Sequence, residues 1–308
     1  MSAPSMAVDL GGIRMRNPLN TASGTYGYGK QFEGFYDVGA TMGAITLKGC
    51  SAVPWKGNPA PRMAKIPSGV MNSVGLQNPG IRELVAQYGD YLQGLEERGC
   101  RVICQVAGHA IDEYVEALEL YEELAPWASG IEVNISCPNI AAGGAAMGST
   151  PEGAAEVVRA LRGRTSRSLL VKMGPVRVDE IARAIEAEGA DALVAINTIS
   201  GMAIDVHTRR SKLSRATAGI SGPAIHHVAC RMIWEIHNAC SLPICGVGGV
   251  TSGEDAAEFI LAGATAVSVG TANLTDPTCA PRILAELEAW VAEQGADDVN
   301  QLIGALEC

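Results

Sequence analysis

The residues best suited to chemistry crowd into one short stretch, Asn134-Ile135-Ser136-Cys137-Pro138-Asn139. Cys137 stands between two asparagines, ahead of a rigid Pro138 and the glycine pair Gly143-Gly144. A thiol so placed reads as a nucleophile, as a general base or as an inert structural group. No histidine neighbours it in sequence, so a Cys–His acyl-transfer pair has no local support. Two lysines form a second set: Lys48 follows an apolar run ending in Leu47, and Lys172 follows Leu169-Leu170-Val171. Such a lysine either snorkels to water or meets an anion or polar partner, and two at equivalent positions favour the second. The amides of Asn72, Asn134, Asn139 and Asn197 form a third set. Singly each reads as a turn former. Together, groups that both donate and accept suit a flat heterocycle with imide and amide edges. Finally, Gly248-Gly249 and Gly270-Thr271 are places where backbone N–H groups can close on a phosphate.

These residues need a frame. Short apolar runs at residues 18–23, 43–49, 101–107, 130–136, 168–174, 192–198, 242–248 and 266–271 predict eight strands. Their continuous apolar centres suit parallel strands buried on both faces. Helical stretches at 111–124, 151–161, 178–188, 224–238, 254–261 and 281–292 lie between them. The helix at 151–161 follows Ser149-Thr150 and starts with Pro151, a helix-entry signal. The helix at 111–124 places Ile111, Val115, Leu118 and Tyr121 at helical spacing, and its six carboxylates read as a solvated outer face. Eight strands alternating with helices predict one (β/α)₈ TIM barrel, a single α/β domain over residues 1–308. A doubly wound sheet competes, but no GxGxxG follows the first strand. The barrel puts Ser23, Lys48, Gln105, Asn134, Lys172, Asn197 and Thr198 at carboxyl ends of strands, where barrel active sites lie. It puts the two glycine signals after strands seven and eight, where barrels often hold phosphate. Long connections at 50–77 and 199–222 also follow strand ends and read as lids or binding elements.

Composition narrows the class. Lys and Arg total 23 against 33 Asp and Glu, a net charge of −10, so a general binder of nucleic acid or anionic membranes is not expected. Glycine, at 36 of 308 residues, exceeds the typical ~7% and signals many tight turns. The nine cysteines are odd in number and scattered without a CxxC pair, so neither a metal or cluster site in this chain nor a disulfide framework is expected. Most should be small buried hydrophobes. No secretory signal and no membrane-spanning apolar run is evident, so a soluble, cytoplasmic protein is expected.

The chain resembles the class 1B dihydroorotate dehydrogenases, the flavin-containing catalytic subunits of pyrimidine biosynthesis. The carrying motifs are Ala22-Ser23-Gly24, Gly57-Asn58-Pro59 through Pro61-Arg62, GLQNPG from Gly75 to Gly80, NISCPN from Asn134 to Asn139, Ile196-Asn197-Thr198, SGPAI from Ser221 to Ile225, and Gly270-Thr271-Ala272-Asn273. The sequence after the cysteine looks like class 1B rather than the fumarate-using class 1A, and class 2 carries serine in place of Cys137. The resemblance implies bound FMN and oxidation of (S)-dihydroorotate to orotate. It makes Cys137 the base that takes the C5 proton, while hydride leaves C6 for N5 of the flavin. It places Lys48 between substrate and flavin. It gives Asn72, Ser73, Val74, Gly75, Leu76, Asn134, Asn139, Asn197 and Thr198 to the substrate. It gives Ser23, Lys48, Gly49, Gln105, Asn134, Lys172, Ile196, Gly222, Gly248, Gly249, Gly270 and Thr271 to FMN, the last four near its phosphate. No metal is implied. A partner subunit with FAD and a [2Fe–2S] cluster would pass electrons to NAD, and paired barrels with such partners would form a heterotetramer. Burial would oppose ionisation of the Cys137 thiol and Lys48 would favour it, so activity should rise with pH until the thiol ionises. The chain departs from the family pattern at Gln105, where asparagine is usual, at Gly174-Pro175-Val176, and at His227, where proline is usual. The related alternative is an FMN barrel acting on dihydropyrimidines, and a flavin-free binding barrel is a third reading.

Overall fold

The structure, a computed structural model, describes residues 3–136 and 147–307. Eight parallel strands form its centre: β1 (Leu19–Thr21), β2 (Ala44–Thr46), β3 (Arg101–Val106), β4 (Gly130–Asn134), β5 (Ser168–Lys172), β6 (Ala192–Ala195), β7 (Ile244–Val247) and β8 (Ala266–Val269). From β2 to β8 each strand pairs with the next, and β8 returns to β1 in the register Val267↔Leu19 to Val269↔Thr21. The seam between β1 and β2 is closed differently. Gly43 donates its N–H to the Leu19 carbonyl at 3.1 Å, and Thr46 donates its N–H to Thr21 Oγ1 at 3.0 Å. This is the expected (β/α)₈ barrel.

Around it lie α1 (Val38–Thr41), α2 (Ile81–Glu97), α3 (Ile111–Leu124), α4 (Pro151–Arg162), α5 (Val178–Ala187), α6 (His226–His237), α7 (Gly253–Leu261), α8 (Ala272–Thr275) and α9 (Cys279–Glu293). Capping fixes several starts. Thr150 accepts the Gly153 N–H at 3.1 Å ahead of Pro151, and Ser252 with Asp255 forms a reciprocal capping box at α7. Helix α3 buries Tyr114, Ala117, Leu118 and Tyr121, so its inward stripe is rotated from the expected one and leaves Ile111 and Val115 half-buried. Its carboxylates do face outward, with Glu119 paired to Arg164 at 2.8 Å. Helix α2 is not among the helices the sequence predicts. Its buried face runs through Ile81, Leu84, Leu92 and Leu95, but Gly89 occupies the middle and interrupts the apolar stripe.

The strands divide into two layers. By alternation, Ile45, Ile131, Val133, Leu169 and Val171 face the helices and are fully buried. The inward positions are more polar. Asn20 donates to Thr46 Oγ1 at 2.9 Å and reaches Cys245 Sγ at 3.7 Å, which in turn lies 3.2 Å from Ser268 Oγ. Gln105, Glu132 and Lys172 continue this polar column, each at most 6% exposed.

Antiparallel additions cover both ends. At the amino end of the strands, Val8–Leu10 pairs with Ile13–Met15 and buries Val8, Leu10, Ile13 and Met15. Ser168 Oγ donates to the Gly11 carbonyl at 2.6 Å, tying this hairpin to the start of β5. At the other end the two long connections meet. They form one four-stranded antiparallel sheet in the order Ile199–Gly201, Ala218–Ser221, Gly69–Asn72, Met63–Ile66, with Met71, Leu213 and Ala218 as its own small core. The sequence marked these segments as long loops; the structure joins them into one element. All seven described cysteines are free, and Cys50, Cys100, Cys104, Cys245 and Cys279 are buried. Among the described residues, no helix is long and apolar enough to cross a membrane.

Candidate active site

The polar column rises to the carboxyl ends of the strands. Gln105 on β3 donates from Nε2 to Glu132 Oε1, and its own Oε1 accepts from Ser23 Oγ at 2.7 Å. Gly49 makes room for this amide, since a Cβ there would lie 2.3 Å from Gln105 Oε1. Burial pushes the Glu132 carboxyl up, and Lys172 and the Gln105 amide only partly offset it. Lys172, the last residue of β5, is 6% exposed. Lys48 follows β2 and is half-buried. Its side chain passes over Gly24, with Nζ 3.9 Å from where a Cβ would stand, and its N–H donates to the Gly27 carbonyl at 3.1 Å. Ser23, Lys48, Gly49 and Gln105 thus lie on one side of the barrel mouth, with Lys172 facing Asn134 across the β4–β5 pair.

The asparagines converge beside them. Asn134, the last residue of β4, accepts from Ser136 Oγ at 2.7 Å through Oδ1. Asn197, just past β6, donates from Nδ2 to the same Ser136 Oγ, and its Oδ1 accepts the Thr198 N–H at 2.8 Å. Tyr114 of α3 holds the β4 end by donating its O–H to the Asn134 carbonyl at 2.6 Å. Both amides therefore brace the residue immediately before Cys137.

The four-stranded sheet supplies the third side. Asn72 lies opposite Gly219, and Gly219 packs so closely on Thr198 that a Cβ there would be 2.1 Å from Thr198 Oγ1. The turn Ser73–Leu76 that follows is held by Asn58. Its Nδ2 donates to the Ser73 carbonyl at 3.0 Å, and its N–H donates to the Val74 carbonyl at 3.0 Å. Gly75 has φ +72, and a Cβ there would meet Asn58 at 2.8 Å, so the turn requires glycine.

A cradle of backbone groups completes the site. Among the described residues, the N–H groups of Gly222, Gly248, Gly249, Gly270 and Thr271 donate to no protein acceptor. Thr271 Oγ1 donates to Ser221 Oγ at 2.9 Å, and a Cβ on Gly249 would stand 2.6 Å from the Gly222 carbonyl oxygen. The loops after β6, β7 and β8 thus meet with free donors, the arrangement an anionic phosphate requires. Ile196 is buried behind them, its N–H donating to the Val247 carbonyl at 3.0 Å. Cys137 and Asn139 lie outside the described residues. The structure brings the other expected positions to one end of the barrel, and adds Ser136, Glu132, Asn58, Tyr114 and Ser221. Of these, Ser136, Asn58 and Ser221 sit inside motifs already visible in the sequence, whereas nothing local distinguishes Tyr114 or Glu132.

The dihydroorotate dehydrogenase family model matches residues 5–291. The dihydroorotate dehydrogenase B (NAD(+)) catalytic subunit of Geotalea daltonii is 47% identical over 310 residues and covers 100% of both chains. Its namesakes in Trichlorobacter lovleyi and Geobacter sulfurreducens are 45% and 44% identical over 306 and 309 residues, covering 99% and 100% of both chains. The crystal structure of DHODH from Eimeria tenella in complex with ferulenol superposes with a TM-score of 0.80 at 21% identity, over 98% of this chain and 88% of that one, a likeness of fold alone. On its full-length matches, this chain belongs to the dihydroorotate dehydrogenase family.

Proposed function

We propose that the chain is a catalytic subunit that oxidises (S)-dihydroorotate to orotate in pyrimidine biosynthesis, with NAD as final acceptor. The carrying observation is that Asn72, Asn134, Asn197 and Thr198 gather at the barrel end that carries the segment leading into Cys137, with Lys48 at the same end. Orotate and dihydroorotate are flat or nearly flat rings with imide and amide edges and one carboxylate. Asparagine amides match those edges and a lysine ammonium matches the carboxylate.

The reaction removes one proton and one hydride from adjacent carbons. In this reading Cys137 takes the C5 proton as thiolate, and Lys48 favours that anion and holds the substrate. Asn134 and Asn197 orient the approach to Cys137 through Ser136. The turn Ser73–Leu76 contributes a wall for the ring, and Asn139 is assigned, with the other asparagines, to its polar edges. FMN, when bound, supplies the two-electron acceptor for the C6 hydride. The residues that would hold it are Ser23, Lys48, Gly49, Gln105, Asn134, Lys172 and Ile196 along the ring system. Gly222, Gly248, Gly249, Gly270 and Thr271 would hold its phosphate. The five free N–H groups of that cradle support the fit. The designation of the relatives as catalytic subunits supports a separate partner here. We assign that partner the FAD and [2Fe–2S] cluster, joined to paired barrels as a heterotetramer in the cytoplasm.

The test is reconstitution. Apoprotein mixed with FMN should bind it stoichiometrically, turn yellow and convert dihydroorotate to orotate with an artificial acceptor. Protein that takes up no FMN, or that reduces it with dihydrouracil but not with dihydroorotate, would overturn the reading.

A further inference from the structure

His226, the first residue of α6, is 4% exposed, and both of its ring nitrogens face acceptors. Nδ1 lies 3.0 Å from the Gly248 carbonyl oxygen, and Nε2 lies 2.7 Å from Oε2 of Glu258 on α7. A carbonyl and a carboxylate both accept. A ring with one N–H therefore leaves one of these contacts as two facing lone pairs, whereas a ring with an N–H on each nitrogen satisfies both. Phe259 stacks on the ring at 4.7 Å and 8°, fixing its plane. The other groups facing it are Asp255, with Oδ1 3.8 Å from Nε2, and His227, whose ring meets it edge-on at 5.3 Å. Cys230 turns its thiol to the Glu258 backbone carbonyl.

His226, His227 and Glu258 together offer three ligand atoms to a cation. The Nε2–Oε2 separation argues against one. A tetrahedral ion with bonds of about 2.1 Å holds its ligand atoms about 3.4 Å apart, and 2.7 Å is a hydrogen-bond length.

The position of the ring gives the contact a purpose. The Gly248 carbonyl and the Gly249 N–H belong to one planar trans peptide, so they point in opposite directions. Holding the carbonyl on Nδ1 turns the Gly249 N–H away from the ring, and that N–H is one of the free donors of the cradle. We propose that His226 is a positioning residue held as a doubly protonated imidazolium. It fixes the Gly248–Gly249 turn and places a positive charge behind it, selecting a phosphate monoester over its phosphate-free analogue. This rests on the assignment of the cradle to the FMN phosphate.

Two measurements test it. In histidine-labelled wild-type chain, ¹⁵N–¹H correlation spectra at neutral pH should show both His226 ring nitrogens protonated. A neutral ring with a single N–H would overturn the proposal. In parallel, apoprotein is titrated with FMN and with riboflavin, following flavin fluorescence. His226→Gln should weaken FMN about tenfold and riboflavin less than about twofold, and His226→Lys should recover most of the FMN affinity. Glu258→Gln should reduce the FMN preference in the same direction, because an amide can donate to a neutral ring. Equal losses for both flavins, or unchanged FMN affinity in His226→Gln, would overturn the proposal and leave the cofactor reading standing. Failure of wild-type protein to bind FMN would overturn both.

Discussion

Both ends of this barrel carry an antiparallel addition, and the two differ in what they bury. The hairpin at the amino end turns Val8, Leu10, Ile13 and Met15 inward. Its polar ties, such as Ser168 to the Gly11 carbonyl, fasten it to strand starts. The four-stranded sheet at the carboxyl end has only Met71, Leu213 and Ala218 as its core, and it carries Asn72 and packs on Thr198. One addition seals the bottom of a hydrophobic frame. The other spends its contacts on placing polar groups. Stability should therefore concentrate at the first and the proposed chemistry at the second.

The sharpest way to break that division is a single methyl at the carboxyl end. Gly219→Ala would place a Cβ 2.1 Å from Thr198 Oγ1 and must shift Thr198 or the strand. A displacement of about 1 Å at a reacting centre costs ~10²-fold in rate. Steady-state kinetics should show that loss, while the melting temperature moves little because the local core is small. The mirror experiment is Leu10→Ala at the amino end, where the side chain is fully buried. It should cost about 2–5 kcal/mol in denaturant unfolding and leave kcat/KM of the folded fraction unchanged. Equal kinetic losses in the two variants would erase the contrast.

The polar column sharpens it from inside. Burial raises the Glu132 carboxyl above its ordinary value, so the native state holds a proton that the unfolded chain releases. That contribution is fully present below the unfolded value and is lost as pH rises through the folded one. Glu132→Gln keeps the neutral shape at every pH. Its melting temperature relative to wild type should therefore climb as pH rises from about 4.5. A difference independent of pH would mean that the carboxyl does not titrate on unfolding. The smallest effect belongs to the outer shell. Thr150→Ala removes the cap on α4 and should cost ~1 kcal/mol in unfolding free energy with no kinetic change.

The sequence discloses these regions unequally. The barrel strands are legible because burial on both faces makes their centres continuously apolar, and the helix start at Pro151 is legible because capping is local. Helix α2 escapes because Gly89 interrupts its apolar stripe. The four-stranded sheet escapes because its central pairing joins segments more than a hundred residues apart, Asn72 with Gly219. At the site, Lys48, Lys172 and the asparagines announce themselves as polar residues ending apolar runs. Glu132 does not, because a carboxylate inside a strand reads as an outward position until the barrel closes around it. Ser136 draws no notice beside Cys137, yet both Asn134 and Asn197 settle on its hydroxyl.

The central claim is that these residues orient a proton-abstracting thiol at Cys137, and rapid anaerobic mixing with dihydroorotate tests it most directly. Followed through the visible flavin absorbance, FMN-loaded wild-type protein should bleach in a fast single phase. Cys137→Ala that retains full FMN should bleach at least about 10²-fold more slowly. Bleaching at the wild-type rate in that variant would contradict the assignment of Cys137 as the base.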